Sequence, residues 1–150
     1  MRRTFFGIAV ISLLTIPFSA QAQFGKMDDA VKYRKAAFSL MNTHLARIGA
    51  VVKGEKPYDK ASVEGDAAIV EMMSKLPWHA FPANSATSDS RAKPEIWKDQ
   101  DKFKAASEKM QSEIAKLSST AKAGDLNMIK TTFGAAGQSC KACHDDFRKN

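Results

Sequence analysis

Both cysteines of the chain lie near its C-terminus, in the stretch "SCKACHDDF". Cys140 and Cys143 are three positions apart, and His144 follows the second cysteine directly. Three kinds of chemistry are compatible with this spacing: a redox-active dithiol, part of a zinc site, or the covalent attachment of a c-type haem. The sequence around the motif discriminates among them.

The first two kinds of chemistry need a context that the chain lacks. A redox pair usually begins a helix that follows a strand, where the helix dipole lowers a thiol pKa. Both cysteines instead lie deep within a predicted helix. A structural zinc ion needs four ligands, this helix offers three at most, and neither His44 nor His79 has a spacing that would complete the site. Haem attachment is therefore favoured, and a thiol protein without haem is the residual alternative.

Helix geometry also favours a haem. Residues three positions apart face the same side of a helix, so the two sulfurs can bond to the two vinyl groups along one porphyrin edge. His144 lies four positions after Cys140, from where its imidazole can reach the iron. The motif therefore predicts one haem c, attached through Cys140 and Cys143, with His144 as the axial ligand of the metal.

The N-terminus has the three parts of a secretory signal peptide. Two arginines precede an apolar run over residues 5–18, and a small-x-small cleavage site ends at Ala22. The apolar run is shorter than the roughly 20 residues that a membrane span needs. We therefore predict a signal peptide over residues 1–22, a mature domain over residues 23–150, a periplasmic location, and no membrane attachment after cleavage.

Composition is typical of one small basic domain. The mature part would have 128 residues, and two cysteines are too few for a disulfide framework. Removal of Arg2 and Arg3 leaves 21 lysines and arginines against 16 acidic residues, a net charge of +5. These lysines are scattered and favour solubility, whereas a nucleic-acid-binding protein would carry a basic block with interleaved aromatics. No nucleic-acid partner is predicted.

Apolar residues recur at steps of three and four along the mature chain, which predicts four helices. We place them at about residues 27–53, 59–76 and 99–123, and after Asp125, which can cap the last one. The third could equally begin at Pro94. Because most connections are short, the predicted fold is all-α, an antiparallel up-down-up-down four-helix bundle with the haem near the C-terminal helix.

One residue does not fit the apolar seam of the first helix. Arg34 has no evident protein partner in the sequence, and the topology places it at the haem end of the bundle, so we predict that it binds a haem propionate. An arginine pointing outward is the alternative. Phe38 lies one turn further along, where it could cover the open face of the iron. The residues expected level with His144 are Arg34, Phe38, Met72, Met73, Trp78, Phe81 and Phe103.

The mature chain resembles cytochrome c′, a family of exported four-helix c-type cytochromes. The matching segments are "AVKYRKAAF", "VVKGEKPYD", "LPWHAF", "KPEIW", "KAGDL" and "CKACHDDFR". In this family the iron is typically five-coordinate, its distal side is apolar, and nitric oxide and carbon monoxide bind while dioxygen does not bind stably. The resemblance implies a periplasmic gas-binding haem protein, with nitric oxide protection or buffering as its role.

The resemblance also assigns roles to individual residues. These are Cys140 and Cys143 (thioether bonds), His144 (axial ligand), Arg148 (proximal face), Arg34 and Lys35 (near a propionate), Trp78 and Phe81 (pocket lining) and Phe38 (distal face). Phe38 stands where family members often carry leucine, so its larger ring is a departure. The family further implies a homodimer, usually formed through the first two helices, for which Tyr33, Ala37 and Val51 lie off the core seam.

A low-spin electron carrier is the main alternative function. A methionine would then fill the sixth position of the iron, and the candidates are Met27, Met41, Met72 and Met73, although methionines in helices usually serve core packing. His44 is too far away, at about 15 Å along the helix axis from Arg34.

No nucleophile–base pair and no paired acids are evident, so the sequence does not indicate an enzyme. The redox partner is not identified.

Overall fold

A computed structural model describes residues 24–149 of the chain, and the predicted signal peptide over residues 1–22 lies outside the described residues. The described part contains five α-helices, which are α1 (Met27–Val52), α2 (Lys60–Ser74), α3 (Glu95–Lys98), α4 (Gln100–Ala123) and α5 (Leu126–Phe147). A 3₁₀ helix, Trp78–Ala80, lies between α2 and α3. Within this part of the chain, no helix is both long enough and apolar enough to cross a membrane.

The four long helices form the predicted four-helix bundle. α1 packs against α2, α2 against α4 and α4 against α5, and contacts between α1 and α5 close the ring. Aliphatic side chains fill the centre, and Ile48, Ile114, Leu117 and Ile129 are fully buried there. Burying these apolar side chains is the main force that holds the helices together.

Local sequence features set the ends of these helices. Asp59 caps α2 by accepting a hydrogen bond of 2.8 Å from the Ser62 N–H. Asp125 caps α5, as predicted, by accepting hydrogen bonds from the N–H groups of Asn127 and Met128. Gly124 ends α4 in the left-handed conformation, with a φ of +87°, which glycine adopts at little cost.

Both predicted starts of the third helix are used. Pro94 precedes the short helix α3, whose first residue is Glu95. Asp99 then interrupts the helical path and caps α4, its side chain accepting a hydrogen bond of 3.1 Å from the Lys102 N–H. One predicted helix is therefore two, with the break at the aspartate.

The connection from α2 to α3 is paired with the C-terminal end of α5. Ala92 forms an isolated antiparallel β-bridge with Arg148. The Lys93 N–H donates to the Phe147 carbonyl at 2.9 Å, and the Lys149 N–H donates to the Arg91 carbonyl at 2.8 Å. This pairing, which the helical pattern did not predict, fixes the connection beside the helix that carries both cysteines.

Candidate cofactor site

The two cysteines are free thiols on α5, and each is partly buried. Cys140 packs against the main core of the bundle. Cys143 packs against a smaller cluster built on Ala92, Ile96 and Phe147. Both side chains therefore face neighbouring elements rather than open solvent, as their three-residue spacing predicts.

Burial raises the pKa of both thiols. Desolvation is the main cause for Cys140. For Cys143, desolvation together with the nearby Cys140 and Asp146 raises the pKa to about 11. Both thiols are therefore protonated at neutral pH, unlike the low-pKa thiolate that a redox pair needs. Among residues 24–149, no group of three or more histidine, cysteine and acidic side chains is arranged to hold a metal ion.

His144 follows Cys143 and is exposed on α5. Partial desolvation lowers the pKa of its imidazole, the positive charges of Arg148 and Arg91 lower it further, and Asp145 opposes them. The imidazole is therefore neutral at pH 7, which is the form that ligates a metal. Its backbone carbonyl accepts a hydrogen bond of 3.0 Å from the Arg148 N–H.

Five aromatic side chains meet near the cysteines, and we call Phe38, Trp78, Phe81, Phe103 and Phe147 the aromatic cluster. The ring centroids of Phe38 and Trp78 are 5.9 Å apart, and those of Trp78 and Phe103 are 5.7 Å apart. Phe103 also packs edge-on against Phe81 at 5.0 Å and Phe147 at 5.2 Å. Edge-to-face pairs of this kind are favourable beyond the area they bury. The cluster brings together the predicted residues Phe38, Trp78 and Phe81 at the end of the bundle that carries the cysteines.

Arg34 is buried, with 4% of its surface exposed, and it has several protein partners. Its Nη1 donates to the Ala80 carbonyl and the Ser85 hydroxyl, and its Nη2 donates to the Ser85 carbonyl and the Ser90 hydroxyl, all at 2.7 Å. Its Cζ lies 4.4 Å from the centroid of the Phe81 ring. Desolvation lowers the pKa of Arg34, but a guanidinium remains charged at neutral pH.

These contacts correct two expectations about Arg34. The arginine was expected to lack a protein partner, yet four of its five N–H groups are directed to the connection between α2 and α3. The alternative of an outward-pointing side chain is also wrong, because the residue is buried. Contact with a propionate stays a prediction, and one N–H group is left to make it.

The remaining predicted residues occupy different surroundings. Lys35 is exposed and lines a surface cleft with Asp28 and Asp89. Arg148 is exposed directly after α5, four positions further along the chain than His144. Met72, which was expected level with His144, has 61% of its surface exposed, and its level relative to His144 stays a prediction.

The other candidate methionines do not share one environment. Met41 is buried in the main core, and Met73 packs against the same core from a partly buried position. Met27 is partly buried at the first residue of α1. Core packing therefore accounts for Met41 and Met73 without a ligand role.

The residues proposed for a dimer contact also need correction. Ala37 is buried and offers no free surface, and Val51 is partly buried against the main core. Tyr33 and Leu40 are the large apolar residues of α1 that are exposed, with 36% and 50% of their surfaces accessible. Tyr33 and Leu40 are therefore the large apolar side chains that α1 offers for a contact.

Sequence reasoning missed the two serines that hold Arg34. Ser85 and Ser90 are buried, although they belong to the polar stretch "ANSATSDSR". Nothing in that stretch distinguishes them from Ser88, because the selection depends on where the connection meets α1. The polarity of the stretch therefore gives no sign of which hydroxyl groups are buried.

Comparison with known proteins gives consistent matches. A family model described as Cytochrome C′ matches residues 29–148. The cytochrome c′ of Alcaligenes xylosoxydans xylosoxydans is 46% identical over 127 residues, which cover 85% of this chain and 98% of that protein. A nitric oxide complex of a mutant cytochrome c′ from Alcaligenes xylosoxidans is 44% identical with a TM-score of 0.81, covering 85% of this chain and 99% of that one. A carbon monoxide-bound variant of that cytochrome has the same identity and TM-score, covering 85% and 100%.

Proposed function

Because the chain belongs to the cytochrome c′ family, we propose that it is a periplasmic haem c protein that binds nitric oxide and carbon monoxide at five-coordinate iron. Family membership implies the haem c cofactor. Solved relatives in complex with nitric oxide and with carbon monoxide support the choice of ligands. Protection against nitric oxide, or its buffering, is the role we propose, and an enzymatic reaction is not part of it.

The observation that carries this proposal is the donor set on α5. Two free thiols three positions apart pack inward, and a neutral imidazole follows them. We propose that Cys140 and Cys143 form the thioether bonds and that His144 is the axial ligand. When bound, the haem supplies an iron with one open position for a diatomic gas. The side chains around that position determine which molecules can enter it and how strongly they are stabilised there.

The aromatic cluster supports an apolar distal side. Phe38 has no lone pair to offer to iron, and its ring packs edge-on against Trp78. The indole N–H of Trp78 is the one hydrogen-bond donor among these five side chains, and it already donates to the Ser74 carbonyl at 2.6 Å. Bound dioxygen would gain no polar stabilisation from these side chains, whereas nitric oxide and carbon monoxide depend on it much less.

A visible absorption spectrum of the purified holoprotein tests the proposed function. We expect a high-spin five-coordinate spectrum that changes on titration with nitric oxide, and with carbon monoxide after reduction. A sharp low-spin spectrum that Met41→Ala converts to high spin would instead favour the electron carrier. Absence of a Soret band would overturn both functions.

Phe38→Ala is expected to speed carbon monoxide association to the ferrous protein about tenfold, which corresponds to a barrier lower by about 1.4 kcal/mol. The reason is that the Phe38 ring must swing aside before a gas reaches the iron. Alanine has no ring, so the gas can enter without waiting for this motion. Stopped-flow absorbance measures the rate. Phe133→Ala is the matched control, because Phe133 also packs on the main core but contacts Gly49 near the other end of α1. Equal rates in wild type and Phe38→Ala would show that Phe38 is not the gate.

We also propose a homodimer through the first two helices. Leu40 is half exposed on α1, and a two-fold contact there would remove this apolar surface from water. Sedimentation at micromolar concentration should give about twice the mature mass, and Leu40→Glu should give the monomer. Met128→Glu is the control, since Met128 is similarly exposed but lies on α5. A wild-type monomer would contradict the proposal.

A further inference from the structure

Ser90 joins two hydrogen-bonded parts of the molecule through one buried hydroxyl. Its Oγ accepts a hydrogen bond of 2.7 Å from Arg34 Nη2 on α1. The same oxygen accepts a hydrogen bond of 3.1 Å from the Ala92 N–H, two residues further along the chain. Only 7% of the residue is exposed, so water competes little for either bond. Ser90 therefore links α1 to the segment of residues 90–93. We call this segment, of which Ser90 is the first residue, the strap.

The strap in turn holds the end of α5. Its backbone pairs with residues 147–149 through the Ala92–Arg148 bridge, with a hydrogen bond on either side of it. Two side chains add to this pairing: Lys93 Nζ donates to the Asp145 carbonyl at 2.7 Å, and Arg91 Nε donates to the Lys149 carbonyl at 3.2 Å. The strap thus satisfies carbonyls at the end of α5 that have no partner within the helix.

His144 lies within the turn that the strap holds. Its carbonyl accepts the Arg148 N–H, and Arg148 is the residue bridged to Ala92. The last turn of a helix frays unless its carbonyl groups are tied down. A backbone that is held in place narrows the directions open to the side chain it carries, which complements the outer hydrogen bonds that orient ligating side chains directly. A continuous chain of contacts therefore runs from Arg34 through Ser90 and the strap to the backbone of His144.

We propose that Ser90 is a positioning residue for His144, acting through the strap on the last turn of α5. The inference rests on the proposed role of His144 as the axial ligand. Ser90 does not touch the ligating side chain. It determines how firmly the backbone beneath that side chain is held, and so how sharply the direction of the imidazole is defined.

Ser85 provides a matched control, because it is also hydrogen-bonded to Arg34. Its hydroxyl also accepts a 2.7 Å hydrogen bond from Arg34, and the residue is fully buried. Ser85→Ala and Ser90→Ala therefore each remove one buried hydroxyl that accepts a hydrogen bond from Arg34. Only Ser90→Ala also releases the Ala92 N–H and with it the anchor of the strap.

Two measurements on the holoprotein test the proposal. In Ser90→Ala, we expect amide hydrogen exchange at Arg148 and Lys149 to be about fivefold faster, as the loss of one neutral hydrogen bond implies. We also expect the iron–histidine stretching band of the ferrous protein, measured by resonance Raman spectroscopy, to shift or broaden. Ser85→Ala should leave both readouts at the wild-type values.

Lys93→Met gives a second test if Ser90→Ala folds poorly. It removes the Lys93 Nζ bond to the Asp145 carbonyl and keeps the backbone pairing, so the same band should again shift or broaden. Lys98→Met, at an exposed position on α3, should leave the band unchanged.

Three results would overturn the inference. They are an unchanged band in both Ser90→Ala and Lys93→Met, equal effects of the two serine variants, and a band that survives His144→Ala. The last result would refute the proposed ligand itself. The first two would leave the proposed function intact and refute only the role of Ser90.

Discussion

Replacing both cysteines with alanine is expected to abolish covalent attachment of haem. The wild-type chain, expressed with a haem-attachment system, should be heavier than the bare chain by one haem in denaturing mass spectrometry, and acid-acetone should not extract the pigment. The double variant, Cys140→Ala with Cys143→Ala, should show the mass of the chain without haem in the same measurement. The physical reason is that the two thiols supply both thioether bonds, leaving only a ligand bond from His144 that acid breaks.

The two single cysteine variants test whether one thioether bond is enough to retain the haem. Cys140→Ala and Cys143→Ala each leave one free thiol on the same face of α5, so either chain should keep the haem through one bond. A wild-type chain at its bare mass would contradict the proposed function, and so would a double variant that retains haem after denaturation. The same spectrum reports the start of the mature chain, which the signal-peptide prediction places at Gln23.

Much of the fold could be predicted because local sequence determines it. The step of three and four residues specifies each long helix, and Asp125 specifies the start of α5 through its own side chain. The break at Asp99 was less clear, since Pro94 and Asp99 are both good helix starts and the chain uses both. The placement of both cysteines on one helix could be predicted for the same reason, because their spacing lies within one helical segment.

The contacts of Arg34 could not be predicted from local sequence. They join α1 to serines about 50 positions further along the chain, and a polar loop gives no sign of which hydroxyl will be buried. The bridge between Ala92 and Arg148 depends likewise on where two distant segments meet. The sequence does show that Arg34 is misplaced on an apolar seam. It does not show whether the compensating partner is a cofactor or the protein itself.

Arg34→Leu is expected to lower the free energy of unfolding of the holoprotein by about 4 kcal/mol, within the range for removing one partner of a buried charged interaction. Leucine leaves the Ala80 carbonyl and the groups of Ser85 and Ser90 without their donor, and Ala80 and Ser85 are fully buried. The four bonds act together, so their individual contributions do not add. Urea unfolding followed by circular dichroism measures the loss, and helical content before unfolding should stay at the wild-type level.

Arg34→Lys separates the charge of this residue from its geometry. Lysine keeps the cation, but its compact ammonium cannot reproduce the planar array of donors that reaches both sides of Ser85. Stability should therefore fall in both variants. The reduction potential of the haem should fall only in Arg34→Leu, because reduction adds negative charge that a nearby buried cation favours. A potential unchanged in Arg34→Leu together with a large stability loss would show that Arg34 serves the loop alone and contributes nothing to the cofactor.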